Sequence, residues 1–133
     1  MESARGVRRL AAPTPTPETE RLWTAAEHGV LLIKRCGSCG KAHWYPRMLC
    51  PFCHGAEVEW TEASGKGVIY SFSVMHRAEI PYVVAYVTLA EGPTMMTNIV
   101  GARFESLVIG QPVTVTFVPT DGPPVPCFMP DAR

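Results

Sequence analysis

Four of the five cysteines lie within one short stretch, as Cys36-Gly37-Ser38-Cys39 and Cys50-Pro51-Phe52-Cys53. Each pair has the C-x-x-C spacing, and ten residues separate the pairs. Two intervening residues let a tight turn aim both sulfurs at one point. Four such sulfurs satisfy a tetrahedral ion with metal–sulfur bonds near 2.3 Å. In a reducing compartment this arrangement reads as a metal site rather than a disulfide framework. Four thiolates leave no open coordination position, so the ion is expected to be structural zinc held by Cys36, Cys39, Cys50 and Cys53. Iron is the competing ion, since it accepts the same tetrahedral sulfur set. Gly40 and Gly55 follow the two pairs and are expected to supply the backbone angles that end each turn.

The segment Cys50-Pro51-Phe52-Cys53-His54 also matches the haem-attachment pattern. That chemistry needs export and would leave Cys36 and Cys39 unexplained. His54 could replace a cysteine as ligand, but its adjacency to Cys53 makes that strained; His28 and His43 read as surface or packing residues, and Cys127 as a buried inert thiol. No G-x-S-x-G, Gly-rich phosphate loop or H-E-x-x-H is present. The carboxylates are scattered, and the best cluster, Glu79 with His76 and Arg77, reads as a solvated strand end. No catalytic residue is expected. Basic side chains crowd the cysteine region, and Arg35, Lys41 and Arg47 are the candidates to hold the phosphates of a coenzyme.

The elements that position these residues begin with a proline-rich tail. Residues 1–17 contain Pro13, Pro15 and Pro17 alternating with Thr14 and Thr16, and they read as disordered. Thr16 is the expected N-cap, with Pro17 at the first helical position. Residues 18–28 then read as a three-turn helix ending at Gly29, with Leu22, Trp23 and Ala26 as a narrow apolar stripe. So short a helix is marginal alone and must lean on its own domain or on a partner. Residues 30–35 read as a strand leading into Cys36. Beyond Trp60 and Ser64-Gly65-Lys66-Gly67 the chain is expected to be all strand, near 67–77, 82–90, 94–101, 112–118 and 125–129. The separators carry turn chemistry, such as Glu91-Gly92-Pro93 and Asp121-Gly122-Pro123-Pro124. Both faces of the second strand are apolar, so neither simply faces water. Five short strands point to a small closed barrel, an OB-fold first and a small sandwich second.

Composition narrows the function. The 133 residues carry twelve basic and twelve acidic side chains, a formal net charge of zero. Residues 61–133 hold four basic against six acidic groups, a poor match for nucleic-acid phosphates. No stretch approaches the roughly 20 apolar residues of a membrane helix. Only Leu10, Ala11 and Ala12 follow the early arginines before Pro13, too few for a secretory signal, so the expected location is cytoplasmic.

Taken together, Cys36-x-x-Cys39, Tyr45-Pro46-Arg47, Cys50-Pro51-x-Cys53, Trp60, Gly65-x-Gly67-Val68-x-Tyr70-Ser71 and Gly110-x-Pro112-Val113 form a recognisable series. The chain resembles the zinc-ribbon/OB-fold acyl-CoA-associated proteins, a family long catalogued as a domain of unknown function. The likeness covers about residues 18–118. Trp44-Tyr45-Pro46-Arg47 stands where the family often has an aromatic and two prolines. The resemblance implies a mainly β protein: an N-terminal helix and rubredoxin-like zinc ribbon over 18–60, then a five-stranded OB-fold barrel over 61–133. It also implies a non-catalytic accessory subunit of a hetero-oligomer. The partner would be a thiolase-fold protein, namely a thiolase, acyltransferase or steroid side-chain aldolase. The small subunit would help bind or channel acyl-CoA at that interface. Two other functions stay open at this point: a single-stranded nucleic-acid-binding module, and a small metalloenzyme or redox protein.

Overall fold

The computed structural model describes residues 8–131. The helix α1 spans Glu20–Ala26. A three-stranded antiparallel sheet follows, built from β1 (Leu32–Cys36), β2 (Ala42–His43) and β3 (Val58–Glu62) in the order β2-β1-β3. The remaining strands are β4 (Lys66–Met75), β5 (Tyr82–Leu89), β6 (Thr94–Ile99), β7 (Pro112–Val118) and β8 (Val125–Pro130). They close a barrel in the order β4-β5-β6-β8-β7. This is the five-stranded OB-fold arrangement, with β6 and β8 meeting in parallel at Ile99 and Phe128 and every other neighbour antiparallel. No helix among the described residues is long and apolar enough to cross a membrane.

The five barrel strands lie where turn chemistry placed them. The helix is shorter than its expected span. Its N-cap is Thr19, not Thr16, and Thr19 makes no side-chain cap bond. The two threonines instead close a turn ahead of the helix. The Thr19 amide donates to the Thr16 carbonyl at 2.9 Å, and the Thr16 amide donates to Thr19 Oγ1 at 2.9 Å. The hydroxyl that could cap the helix is thereby committed to the turn. Residues 1–7 of the expected disordered tail lie outside the described residues. Residues 8–16 form no regular element but lie against the barrel.

Strand alternation explains the two apolar faces of β5. Val83, Ala85, Val87 and Leu89 point inward and are almost fully buried with Ile69, Met95, Val113 and Phe128. Tyr82, Val84, Tyr86 and Thr88 point outward. The strand β1 joins the remaining parts through both of its faces. Ile33, with Leu31 just before the strand, belongs to the barrel's core cluster. Leu32 packs with Leu22, Trp23 and Ala26 of the helix, and Trp44, Trp60, Phe117 and Val125 close around them. Burying side chains of this size contributes about 1.5–3 kcal/mol each, which is what a seven-residue helix lacks alone. β3, whose register on β1 pairs Lys34 with Trp60, spans the seam between ribbon and barrel.

The inner side of the ribbon holds two polar groups. Lys34 Nζ lies 4.6 Å over the Trp60 ring and donates to the Arg47 carbonyl at 3.2 Å. His43, opposite Lys34 in the β1–β2 ladder, is only 4% exposed. Neither of its ring nitrogens meets a partner among the described residues. Burial, then the charges of Lys34 and Arg47, hold the His43 pKa below its ordinary value.

Two outcomes follow from this packing. A Cβ on Gly67 would lie 2.7 Å from both the Thr88 carbonyl oxygen and Val87 Cγ1. Gly67→Ala is therefore expected to destabilise the protein by about 1–3 kcal/mol, read as a lower thermal midpoint with unchanged metal content. The fold disfavours protonated His43, whereas the unfolded chain protonates it near pH 6.5. Its contribution is complete above that pH and lost as pH falls toward the depressed folded value. Urea midpoints at pH 7.5 and 5.5, with zinc saturating, are expected to differ less for His43→Leu than for the parent.

Candidate metal centre

The first cysteine pair sits on the turn between β1 and β2. Cys36 is the last residue of β1, its amide donates to the Lys41 carbonyl at 2.9 Å, and the Gly40 amide donates back to the Cys36 carbonyl at 2.9 Å. The second pair repeats this geometry. The Cys50 amide donates to the Gly55 carbonyl at 2.9 Å, and the His54 amide donates to the Cys50 carbonyl at 2.8 Å. Gly40 and His54 are thus equivalent, four residues after the leading cysteine, and both have positive φ, 78° and 66°. The sequence expectation placed Gly55 in that role. Gly55 is needed for closeness instead: a Cβ there would lie 3.3 Å from Cys53 Sγ and 3.4 Å from Ser38 Oγ.

All four sulfurs lie within 4.8 Å of one another. Cys36 and Cys53 Sγ are 3.6 Å apart, and Cys39 and Cys50 Sγ are 3.7 Å apart. A tetrahedron with 2.3 Å metal–sulfur bonds has edges of about 3.8 Å, so the donor set fits one zinc ion. Amides point at the leading sulfurs: Ser38 and Cys39 donate to Cys36 Sγ at 3.3 and 3.4 Å, and Phe52 donates to Cys50 Sγ at 3.4 Å. Led by the Cys39 amide, these bonds pull Cys36 down to about 6, despite its burial. Burial pushes Cys50 up, but the Cys53 and Phe52 amides outweigh it and the net direction is down. For Cys53 the Gly55 amide pulls down, yet the neighbouring Cys36 sulfur and burial prevail, raising it to about 11. Four thiols this close cannot all ionise unaided, and a dication at their centre removes that conflict. An amide of the first turn also ties the site to the residue just before β3: Gly37 donates to the Glu57 carbonyl at 2.6 Å.

The three candidate phosphate-binding residues are all exposed on the ribbon. Arg35 Nη1 donates to the Gly40 carbonyl at 2.9 Å, and Lys41 Nζ lies 5.0 Å from the Phe52 ring centroid. Arg47 contributes its carbonyl to Lys34. None of the three lines the described cleft of about 390 Å³ beside α1, which is walled by Pro15, Pro17, Glu20, Trp23, Glu27 and Pro123.

The sequence expectation named an apolar surface on the barrel and a helix that leans on its own domain or on a partner. The ribbon exposes a second apolar surface in Met48, Leu49 and Phe52. Its signal was available, since these side chains sit between metal-directed cysteines where no core can form. On the barrel, Tyr70, Tyr86 and Met96 stand exposed on adjacent strands β4, β5 and β6. Cys127 is buried as expected, and burial pushes its thiol up to about 11.

Comparison with known proteins agrees with this architecture. Residues 23–59 match the family model of the ChsH2 rubredoxin-like zinc ribbon domain, and residues 60–118 match that of the ChsH2 C-terminal OB-fold domain. A DUF35 domain-containing scaffold protein of Methanocaldococcus jannaschii is 35% identical over 105 residues, covering 73% of this chain and 74% of that protein. A probable enoyl-CoA hydratase alpha subunit of Thermomonospora curvata is 37% identical over 102 residues, covering 73% of this chain. The match spans only 32% of that longer relative. Among solved structures, the Ltp2-ChsH2(DUF35) aldolase contains a chain that superposes with a TM-score of 0.79 at 34% identity, covering 90% of this chain and 98% of that one. The chain is therefore a member of the DUF35 family of the ChsH2 type, a rubredoxin-like zinc ribbon joined to an OB-fold barrel.

Proposed function

We propose that this protein is a non-catalytic, zinc-containing accessory subunit. It docks a thiolase-fold partner in the cytoplasm and helps bind or channel acyl-CoA there. The observation that carries the reading is the near-complete superposition on a chain of the Ltp2-ChsH2(DUF35) aldolase. The hydratase alpha subunit and the DUF35 scaffold protein among its relatives support the same role beside a larger enzyme. In this reading Cys36, Cys39, Cys50 and Cys53 hold the zinc. Bound zinc supplies folding free energy rather than catalysis, because four thiolates leave it no site for substrate. The exposed apolar surfaces on ribbon and barrel are of the kind a partner covers. Arg35, Lys41 and Arg47 offer cations for coenzyme phosphates at the partner interface.

Four outcomes are expected. The isolated protein carries one zinc per chain and no visible absorption; a red tetrahedral ferric chromophore would replace zinc with iron in this reading. Cys50→Ser loses the metal and costs several kcal/mol, whereas Cys127→Ser retains it, read by metal analysis and thermal midpoint. Co-expression with a thiolase-fold partner gives a hetero-oligomer whose activity on acyl-CoA is lost when this chain is omitted. In that complex, combined Arg35→Ala, Lys41→Ala and Arg47→Ala raises the KM for acyl-CoA about tenfold with zinc content unchanged. Full activity of the partner alone, or thioester turnover by this chain alone, overturns the proposal.

A further inference from the structure

The segment ahead of α1 lies across the barrel in an informative place. OB-folds take their ligands on the outer face of the second and third strands, between the first-to-second and fourth-to-fifth loops. Here those strands are β5 and β6, and the loops are residues 76–81 and 119–124. Arg8 stacks on the Tyr82 ring at the start of β5, 3.6 Å from its centroid. Its Nη1 donates to Asn98 Oδ1 on β6 at 3.1 Å. Arg9 Nη2 pairs with Asp121 Oδ1 in the β7–β8 loop at 3.1 Å. Ala12 lies against Gly122 of the same loop, its Cβ 3.1 Å from the position a Cβ would take there. The chain's own strap thus fills one end of the ligand face as a peptide bearing consecutive arginines.

This strap is held lightly. Among the described residues, 8–15 make no backbone hydrogen bond to the barrel. The Arg9–Asp121 pair has side chains 82% and 85% exposed, so water and salt screen it. Pro13, Pro15 and Pro17 stiffen the strap toward an extended form, so it can move as a unit. Beyond Tyr82 the same outer face continues uncovered through Tyr86, which pairs with Met96, to Tyr70. A longer ligand than the strap has apolar surface waiting for it.

We propose that the outer face of β5 and β6 is a docking groove for an extended, arginine-bearing segment of a partner polypeptide, with the Arg8–Arg9 strap as its displaceable intramolecular occupant. The contacts name the chemistry. A ring face with an amide oxygen beside it accepts a planar guanidinium better than a compact ammonium, and a carboxylate stands ready for a second cation. Asp121 and the acidic excess of the barrel half work against a phosphate backbone. The groove does not depend on the acyl-CoA reading, and its test contains no catalytic partner.

The probe is a fluorescein-labelled octapeptide, RRLAAPTP, which copies residues 8–15. It is titrated by anisotropy at low salt into the full zinc-loaded chain. The double variant Arg8→Ala with Arg9→Ala, whose groove is intact but whose strap is loosened, is expected to bind it about tenfold more tightly than the parent. Adding Tyr82→Ala should abolish that increase. Should Tyr82→Ala not fold, Asp121→Lys on the exposed loop gives the same reading. A peptide with lysines for its arginines should bind more weakly. Equal binding by parent and double variant, or binding indifferent to Tyr82 and Asp121, overturns the proposal. So does tight binding of a labelled thymidine oligonucleotide to the double variant with a steep salt dependence, which assigns the face to nucleic acid.

Discussion

The structure depends on four sulfurs being brought to one point. A ribbon of about 25 residues cannot bury enough apolar surface to fix its own shape. Its two knuckles converge because each leading cysteine carries a pair of reciprocal backbone bonds, Cys36 with Lys41 and Gly40, Cys50 with Gly55 and His54. Those bonds aim Cys36 and Cys50 inward and leave Cys39 and Cys53 at the surface. A dication at the centre would settle the proton conflict that separates Cys36 from Cys53. The hairpin of β1 and β2 then has a rigid end, and the rest of the chain is arranged along β1.

From that strand the packing spreads in two directions. Ile33 reaches the barrel core and Leu32 reaches the helix, so a change in ribbon position is felt by both. This interlock explains how one short helix, one small sheet and one barrel make a stable chain. It also leaves two outward apolar surfaces exposed: the knuckle group around Phe52 and the barrel row from Tyr70 to Met96. Membership in the DUF35 family sets it among proteins described as scaffolds and as components of hydratase and aldolase assemblies.

Much of the site was legible because its chemistry is local. C-x-x-C spacing forces a tight turn whatever surrounds it, and proline and glycine mark strand ends regardless of partner strands. The errors were also local but one step subtler. His54 rather than Gly55 takes the left-handed angle, because the hydrogen-bond count starts at Cys50 and only the folded turn shows which residue is fourth. Thr16 does not cap the helix because it closes a turn with Thr19, and the helix starts only after that turn. The pairing of Lys34 with Trp60 and of β1 with β3 joins residues 26 positions apart, and no spacing rule reports that.

By itself, then, the order of residues determined the four-cysteine cluster, the five-strand pattern and the family likeness, because short-range backbone geometry and side-chain chemistry decide those. The third dimension decided which apolar face of β5 is core, where β1 divides its two faces, and that Arg8 lies on Tyr82 across the outer face of β5 and β6. These are long-range outcomes. They are set by closing the barrel and docking the ribbon against it, where burial of Leu31, Ile33 and Phe128 outweighs any local preference.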